Sequence, residues 1–249
     1  MPFDKQLTGI DPALIHWFEL IDSTMHEASR LAGQGAPNNT IVVADRQTAG
    51  VGRQGHSWHS EAGNGLYASF VLRIPVAVSD VPIVTLALGL AAADAITKTS
   101  GLACDLRWPN DVLIDGKKVC GILTQLHGPA IVAGIGINVN HQEFPPEIAD
   151  LATSLKIASG REHSRELLLG HLSSAVQTFT AVLVHEGKDA LLRLFQNASS
   201  YVRGRRVLVD NAVIGTTAGL NRDGFLILKK DDGTETLILA GGVRPAPTS

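Results

Sequence analysis

The sequence predicts an α+β fold, a mixed central sheet flanked by helices, followed by a small β-rich unit. Three observations carry this reading. Apolar runs of strand length occur as hairpins interspersed with helical stretches, not as regular strand-helix repeats; two long segments keep a helical apolar period; and from Val202 onward the pattern changes to short β runs separated by Asn/Asp-Gly turns. At about 150 residues per domain, 249 residues correspond to one large domain, or one large domain and one small one.

Taken in order, Ser23 and Thr24 can cap a helix over His26 to Ala32, which Gly33 and Gly35 close. Ile41 to Ala44 is a short β-branched strand, and a Gly-rich loop from Thr48 to Gly65 leads into a second strand over Leu66 to Leu72. Ile83 to Lys98 is Ala- and Leu-rich and reads as a buried helix; the apolar run inside it, Val81 to Ala93, is shorter than the about 20 residues a bilayer demands. Val112 to Ile114 and Val119 to Leu126 flank Asp115-Gly116-Lys117 as a hairpin, and Ile131 to Val139 is a further apolar strand. Ser164 to Glu186 and Asp189 to Ala198 are helical, and Val207 to Val209, Phe225 to Leu228 and Thr236 to Leu239 make a barrel-like appendage with a frayed Pro245-Ala246-Pro247 tail.

Composition narrows the function. Lys and Arg number 21 against 24 Asp and Glu, a net charge of −3, which argues against a protein held mainly by nucleic-acid phosphates. With 45% hydrophobic residues the chain is expected to fold rather than stay disordered. Cys104 and Cys120 fit no disulfide scaffold and no CxxC spacing, so reduced thiols in the cytoplasm are expected, and Met1 to Ile10 lacks the basic-then-apolar order of a signal peptide.

Three segments can carry chemistry. Gly50-Val51-Gly52-Arg53-Gln54-Gly55 formally matches GxGxxG, but no helix begins among its glycines, as a dinucleotide fingerprint requires. A plain turn, or a loop folding over an anion with backbone N–H groups and Arg53, remains. In Arg107-Trp108-Pro109-Asn110-Asp111, Pro109 predicts a rigid, extended strand end. Asn110 then reads a base or phosphate and Asp111 holds Mg²⁺, or the pair is only a turn. In Gly134-Ile135-Gly136-Ile137-Asn138, glycines at strand period mark close approach by a ligand or another backbone, with Asn138 facing it or satisfying the core. His56 and His59, with His16 or His26, are a weak metal pattern.

Together, Ser23-Thr24, Gln47-Thr48-Ala49-Gly50-x-Gly52-Arg53-x-Gly55, Trp58, Trp108-Pro109-Asn110-Asp111, Lys118-x-x-Gly121-Ile122-Leu123 and Gly136-Ile137-Asn138 resemble the biotin protein ligases in order and spacing. The resemblance implies a class II synthetase-like catalytic domain of the biotin-lipoate ligase type over residues 1–201 and a small SH3-like β-barrel over 202–249. It implies that biotin and Mg·ATP give biotinyl-5′-AMP and pyrophosphate, and that the acyl group then passes to one lysine of a biotin carboxyl carrier protein. Lys118 and Arg53 are the implied catalytic cations. Ser23, Thr24, Gln47, Gly50, Gly52, Lys118 and Gly121 are implied to bind biotin. Arg53, His56, Trp58, Asn110, Asp111 and Asn138 are implied to bind ATP or the adenylate, with Mg²⁺ at Asp111 and Trp58 in a loop that shields the mixed anhydride.

The sequence departs from the family pattern where the loop usually reads GRGRxGR. Val51 and His56 replace two arginines, Arg107 stands where Lys is usual, and Met25 stands where Asn is common. A valine cannot clamp a carboxylate, while His56 can take part of the arginine's role when protonated. A lipoate or octanoate ligase or transferase of the same fold is the nearest alternative. Only Met1 to Leu14 precede the first family-like segment, so no DNA-reading domain is expected. A monomer or homodimer that binds neither DNA nor membrane is the expectation.

Overall fold

The computed structural model describes residues 3–247; residues 1–2, where the N-terminal reading starts, and 248–249, where the expected second domain ends, lie outside them. β1 (Ile15–Ile21), α1 (Thr24–Gly33) and β2 (Thr40–Gln47) form a parallel strand-helix-strand unit. β3 (Gly65–Leu72), α2 (Val81–Ser100), β4 (Asp105–Arg107), β5 (Asp111–Ile114), β6 (Lys117–His127) and β7 (Ala130–Asn138) follow, then α3 (Leu155–Ser159), α4 (Arg165–His185) and α5 (Lys188–Asn197). The seven strands form one sheet in the order β1-β2-β3-β7-β6-β5-β4, antiparallel at every neighbour except β1 and β2.

Strand alternation assigns the two faces of this sheet. Ile41, Val43, Phe70, Leu72, Ala133 and Ile135 point into the large core with α2 and α4. Val42, Val71 and Val132 point the other way, onto Met25, Ala28 and Ala32 of α1. α1 is too short to cover that second face, and the uncovered part over β3, β7 and β6 becomes the floor of a pocket. α2 continues past Asp94 to Ser100, so by length and apolar composition both it and α4 could cross a membrane, contrary to the shorter estimate from Val81 to Ala93. In the structure they pack against each other in the core.

β1 and β9 (Val213–Leu220) were not anticipated as strands, and β4 only through the strand end expected at Trp108-Pro109. The expected extended strand end at Trp108-Pro109 is instead a turn between β4 and β5, with a cis peptide bond. β8 (Arg203–Val209), β9, β10 (Leu226–Lys229), β11 (Glu235–Ile238) and β12 (Val243–Pro245) form a second sheet in the order β11-β10-β9-β8-β12. The expected barrel is not closed, since the edge strands β11 and β12 do not pair with each other. Nor is the tail frayed at its start, because Pro245 pairs with Val207 and the Ala246 N–H donates to the Arg206 carbonyl.

The two sheets meet through one continuous core. Val207, Val209, Leu226 and Leu228 share it with Ile83, Leu86 and Phe195. Trp108 Nε1 donates to the Gly224 carbonyl at 2.9 Å, pinning the β4–β5 turn to the second sheet.

Candidate active site

The pocket is built on one transverse row. Tyr67, Gly136, Gly121 and Asp111 are register partners across β3, β7, β6 and β5, so two glycines lie side by side in the middle of the floor. A Cβ at Gly136 would lie 2.5 Å from the Trp58 indole, and one at Gly121 would lie 2.8 Å from it and 3.0 Å from Lys118 Nζ. The glycines therefore let an aromatic ring and a lysine lie flat on the sheet; what approaches Gly136 is a side chain of the protein's own loop, where the alternation had suggested a ligand or another backbone.

The loop over this floor is a small hairpin. Val51 bridges Ser57, the Gly52 N–H donates to the His56 carbonyl at 2.7 Å, and the Trp58 N–H donates to the Gly50 carbonyl at 2.8 Å. Gly50 and Gly52 are required by this close packing, since a Cβ at either would lie under 3.0 Å from a backbone oxygen. Trp58 drops from the hairpin into the pocket, where Lys118 Nζ stands 5.3 Å from its ring centroid. About 50 Å³ of free space is left, enough for water but not for an organic substrate.

A polar chain runs along the α1 end. Ser69 Oγ donates to Thr24 Oγ1, Thr24 donates to Gln47 Oε1 through both its N–H and its hydroxyl, and Gln47 Nε2 donates to Ser60 Oγ. At the opposite end stand the cations. Lys118 Nζ lies 2.6 Å from Asp111 Oδ1 in an ion pair. Arg107 donates to Asp111 Oδ2 from Nη2 at 2.8 Å. Burial pushes the Asp111 carboxyl up, but Lys118 and Arg107 outweigh it and hold the group below its ordinary value. Arg53 Nη1 donates to Asn110 Oδ1 at 2.9 Å, and burial lowers the guanidinium's pKa.

Of the residues singled out in the sequence, Thr24, Gln47, Gly52, Arg53, Trp58, Asn110, Lys118 and Gly121 line the pocket. Ser23 does not; it is fully buried and caps α1, accepting from the Met25 N–H. Gly50 lies under Trp58, and His56 is exposed at the hairpin, outside the lining, which leaves Arg53 as the loop's pocket cation. Asn138 is buried behind the lining, with Nδ2 donating to the Thr153 carbonyl. Each oxygen of Asp111 faces a cation, Arg107 at Oδ2 and Lys118 at Oδ1, so the Mg²⁺ expected there would have to displace one of them.

Sequence reasoning gave Ser60, Tyr67 and Ser69 no role and noted Met25 only as a departure from the family pattern. The alternation of Leu66 to Leu72 could have flagged Tyr67 and Ser69 as facing away from the apolar core. Met25 fills the space that Gly134 leaves, where a Cβ would lie 2.7 Å from Sδ. A second cleft of about 190 Å³ adjoins the first through Arg53, Ile122 and Leu123 and runs between Trp108, Pro82 and Phe225 of the second sheet's β9–β10 connection.

A mixed sheet with a glycine floor, converging Lys and Arg side chains and a hydroxyl-amide chain at the far end defines an enzyme that handles an anionic small molecule with a polar head. The model of the biotin/lipoate A/B protein ligase family matches residues 17–141. A bifunctional ligase/repressor BirA of Bacillus spizizenii is 35% identical over 234 residues, covering 89% of this chain and 71% of the relative. The biotin--[acetyl-CoA-carboxylase] ligase of Mycobacterium tuberculosis is 30% identical over 233 residues, covering 88% and 84%. The biotin protein ligase of Aquifex aeolicus, solved with biotin and ATP, superposes with a TM-score of 0.81 at 32% identity over 92% of this chain and 97% of its own. The chain belongs to the biotin/lipoate A/B protein ligase family, on its biotin protein ligase branch.

Proposed function

We propose that the protein activates biotin with ATP and transfers the biotinyl group to one lysine of a biotin carboxyl carrier protein. The biotin carboxylate oxygen attacks the α-phosphorus, pyrophosphate leaves, and the resulting acyl-adenylate is then attacked by the carrier lysine's neutral amine, releasing AMP. The observation that carries this reading is the row Tyr67, Gly136, Gly121, Asp111 with Lys118 lying across it.

Bringing a carboxylate to a phosphate sets two anions against each other, so the enzyme's contribution is positioning and charge neutralisation. Lys118 Nζ, beside Asp111 at the rim of the glycine floor, would bridge carboxylate and α-phosphate. The Ser69-Thr24-Gln47-Ser60 chain supplies the donors and acceptors that the ureido ring would otherwise lack once buried. The Arg53 guanidinium lies between the two clefts and suits the phosphates, with the second cleft taking the nucleoside. Trp58 must leave the floor for biotin to enter, and its return over the adenylate excludes water from the mixed anhydride. Two free thiols, Cys104 and Cys120, with no disulfide among the described residues, support a cytoplasmic location.

The test is biotin-dependent exchange of labelled pyrophosphate into ATP. Wild type should exchange with biotin, and Lys118→Ala should lose about 100- to 1,000-fold in rate, the cost of removing one group that stabilises developing charge. Exchange supported by lipoate or octanoate but not by biotin would overturn the substrate assignment.

A further inference from the structure

We propose that His59, Glu61 and His141 form a binding site for a divalent transition-metal ion of the zinc class, joining the pocket loop to the segment after β7. The site is separate from the glycine floor and does not depend on the reaction proposed above. One donor atom from each residue lies within 4.8 Å of the other two. Two imidazoles and one carboxylate, with a water in the fourth position, are a donor set that zinc takes in proteins.

His141 supplies the fixed point. It is completely buried, stacks on Phe144 at 5.1 Å between ring centroids, and its Nδ1 is buried with no hydrogen-bond partner. A buried polar atom left unpaired is costly, and ion binding is one of the standard reasons for it. Tyr67 explains which nitrogen is open. Its hydroxyl donates to the Glu61 carbonyl at 3.1 Å and accepts from the Glu61 N–H at 2.9 Å. With that hydrogen committed, the 3.3 Å contact to His141 Nε2 requires Nε2–H to donate, which places the lone pair on Nδ1. The hydrogen-bonded second nitrogen is also how metal-bound histidines are oriented.

His59 and Glu61 supply the ligands at the surface. Both are exposed, and the His59 ring centroid is 6.0 Å from that of His141. Tetrahedral zinc with bonds near 2.0–2.1 Å sets its donors about 3.3 Å apart, so closure by roughly 1.5 Å, achieved by rotating two surface side chains, completes the set. His59 follows Trp58 directly, and a bound ion would therefore fasten the loop at the residue beside the pocket's aromatic cover.

Titration of the purified full chain with Co²⁺, followed by visible d–d absorption, tests the site, with Zn²⁺ affinity measured against a chromophoric chelator. One equivalent should bind and give the intense bands of a tetrahedral nitrogen-oxygen site. His59→Ala and Glu61→Gln, both surface substitutions, should each weaken binding by more than the about 10- to 100-fold that loss of an outer-shell partner costs. His56→Ala should leave it unchanged. Absence of saturable binding, retention in both ligand variants, or loss in His56→Ala would overturn the proposal.

Discussion

Asp111 sets the electrostatic arrangement of the pocket by turning each of its oxygens to a cation. It holds Lys118 and Arg107 within reach of each other, two cations that would otherwise repel. Its carboxyl is held below the ordinary value in the folded chain, so the pair stabilises the fold above the unfolded carboxyl's pKa, near 4. That contribution is lost as pH falls through the folded value. Asp111→Asn should therefore lower stability at pH 7 by about 1–3 kcal/mol, below the about 3–5 of a sealed pair because Lys118 reaches water. The deficit should shrink as pH drops below 4, and thermal unfolding of both proteins between pH 7 and pH 3 checks it; a deficit independent of pH would show that the carboxylate's charge is not what matters. The sequence revealed Lys118, Gly121, Arg53 and Trp58 through the family resemblance. It did not reveal the ion pairing, which depends on β5 and β6 being hairpin partners with a register shift between Val112 and Leu113.

Among elements, the legible ones are those whose local chemistry and tertiary surroundings agree. The β5–β6 hairpin was read from Asp115-Gly116, and both residues adopt positive φ, 50° and 77°. α2 was read from an apolar run that is buried on nearly every side. β1 was not, because as an edge strand its burial does not alternate cleanly, and β9 was hidden by Gly215 and Gly219 inside the strand. The His59, Glu61 and His141 cluster was illegible for another reason, since it is assembled by the loop and the end of β7 from distant segments. Helix α4 offers a test of element packing. Gly170 faces the N-terminal turn so closely that a Cβ would lie 2.2 Å from the Thr8 carbonyl oxygen. Because that neighbour is backbone, Gly170→Ala must displace the turn, at an expected cost of about 1–3 kcal/mol despite alanine's better helix propensity. Urea unfolding measures it, and a stabilised variant would mean that the turn gives way freely.

At the scale of the molecule, the change of composition at Val202 marks a second sheet but not a second core. α5 ends at Asn197 and β8 begins at Arg203, with Tyr201 and Val202 buried in the joint. Leu226 and Leu228 of β10 belong to the same apolar cluster as the helices of the larger unit. Trp108, beside the pocket's Asn110 and Asp111, is hydrogen-bonded into the second sheet. An appendage hinged on a polar interface would unfold by itself, whereas a shared core couples both parts. Trp17 and Trp58 lie in the larger unit, while Trp108 is also bonded to the second sheet, so in a Trp108→Phe background tryptophan fluorescence reports the larger unit's unfolding alone. Leu228→Ala removes a fully buried side chain from the other unit and should cost about 2–5 kcal/mol. The tryptophan transition in urea should shift by that full amount and coincide with the loss of far-ultraviolet circular dichroism. A tryptophan transition left where it stands in the Trp108→Phe parent, with an earlier circular-dichroism phase of its own, would mean that the second sheet folds independently and that the core is shared in contact but not in free energy.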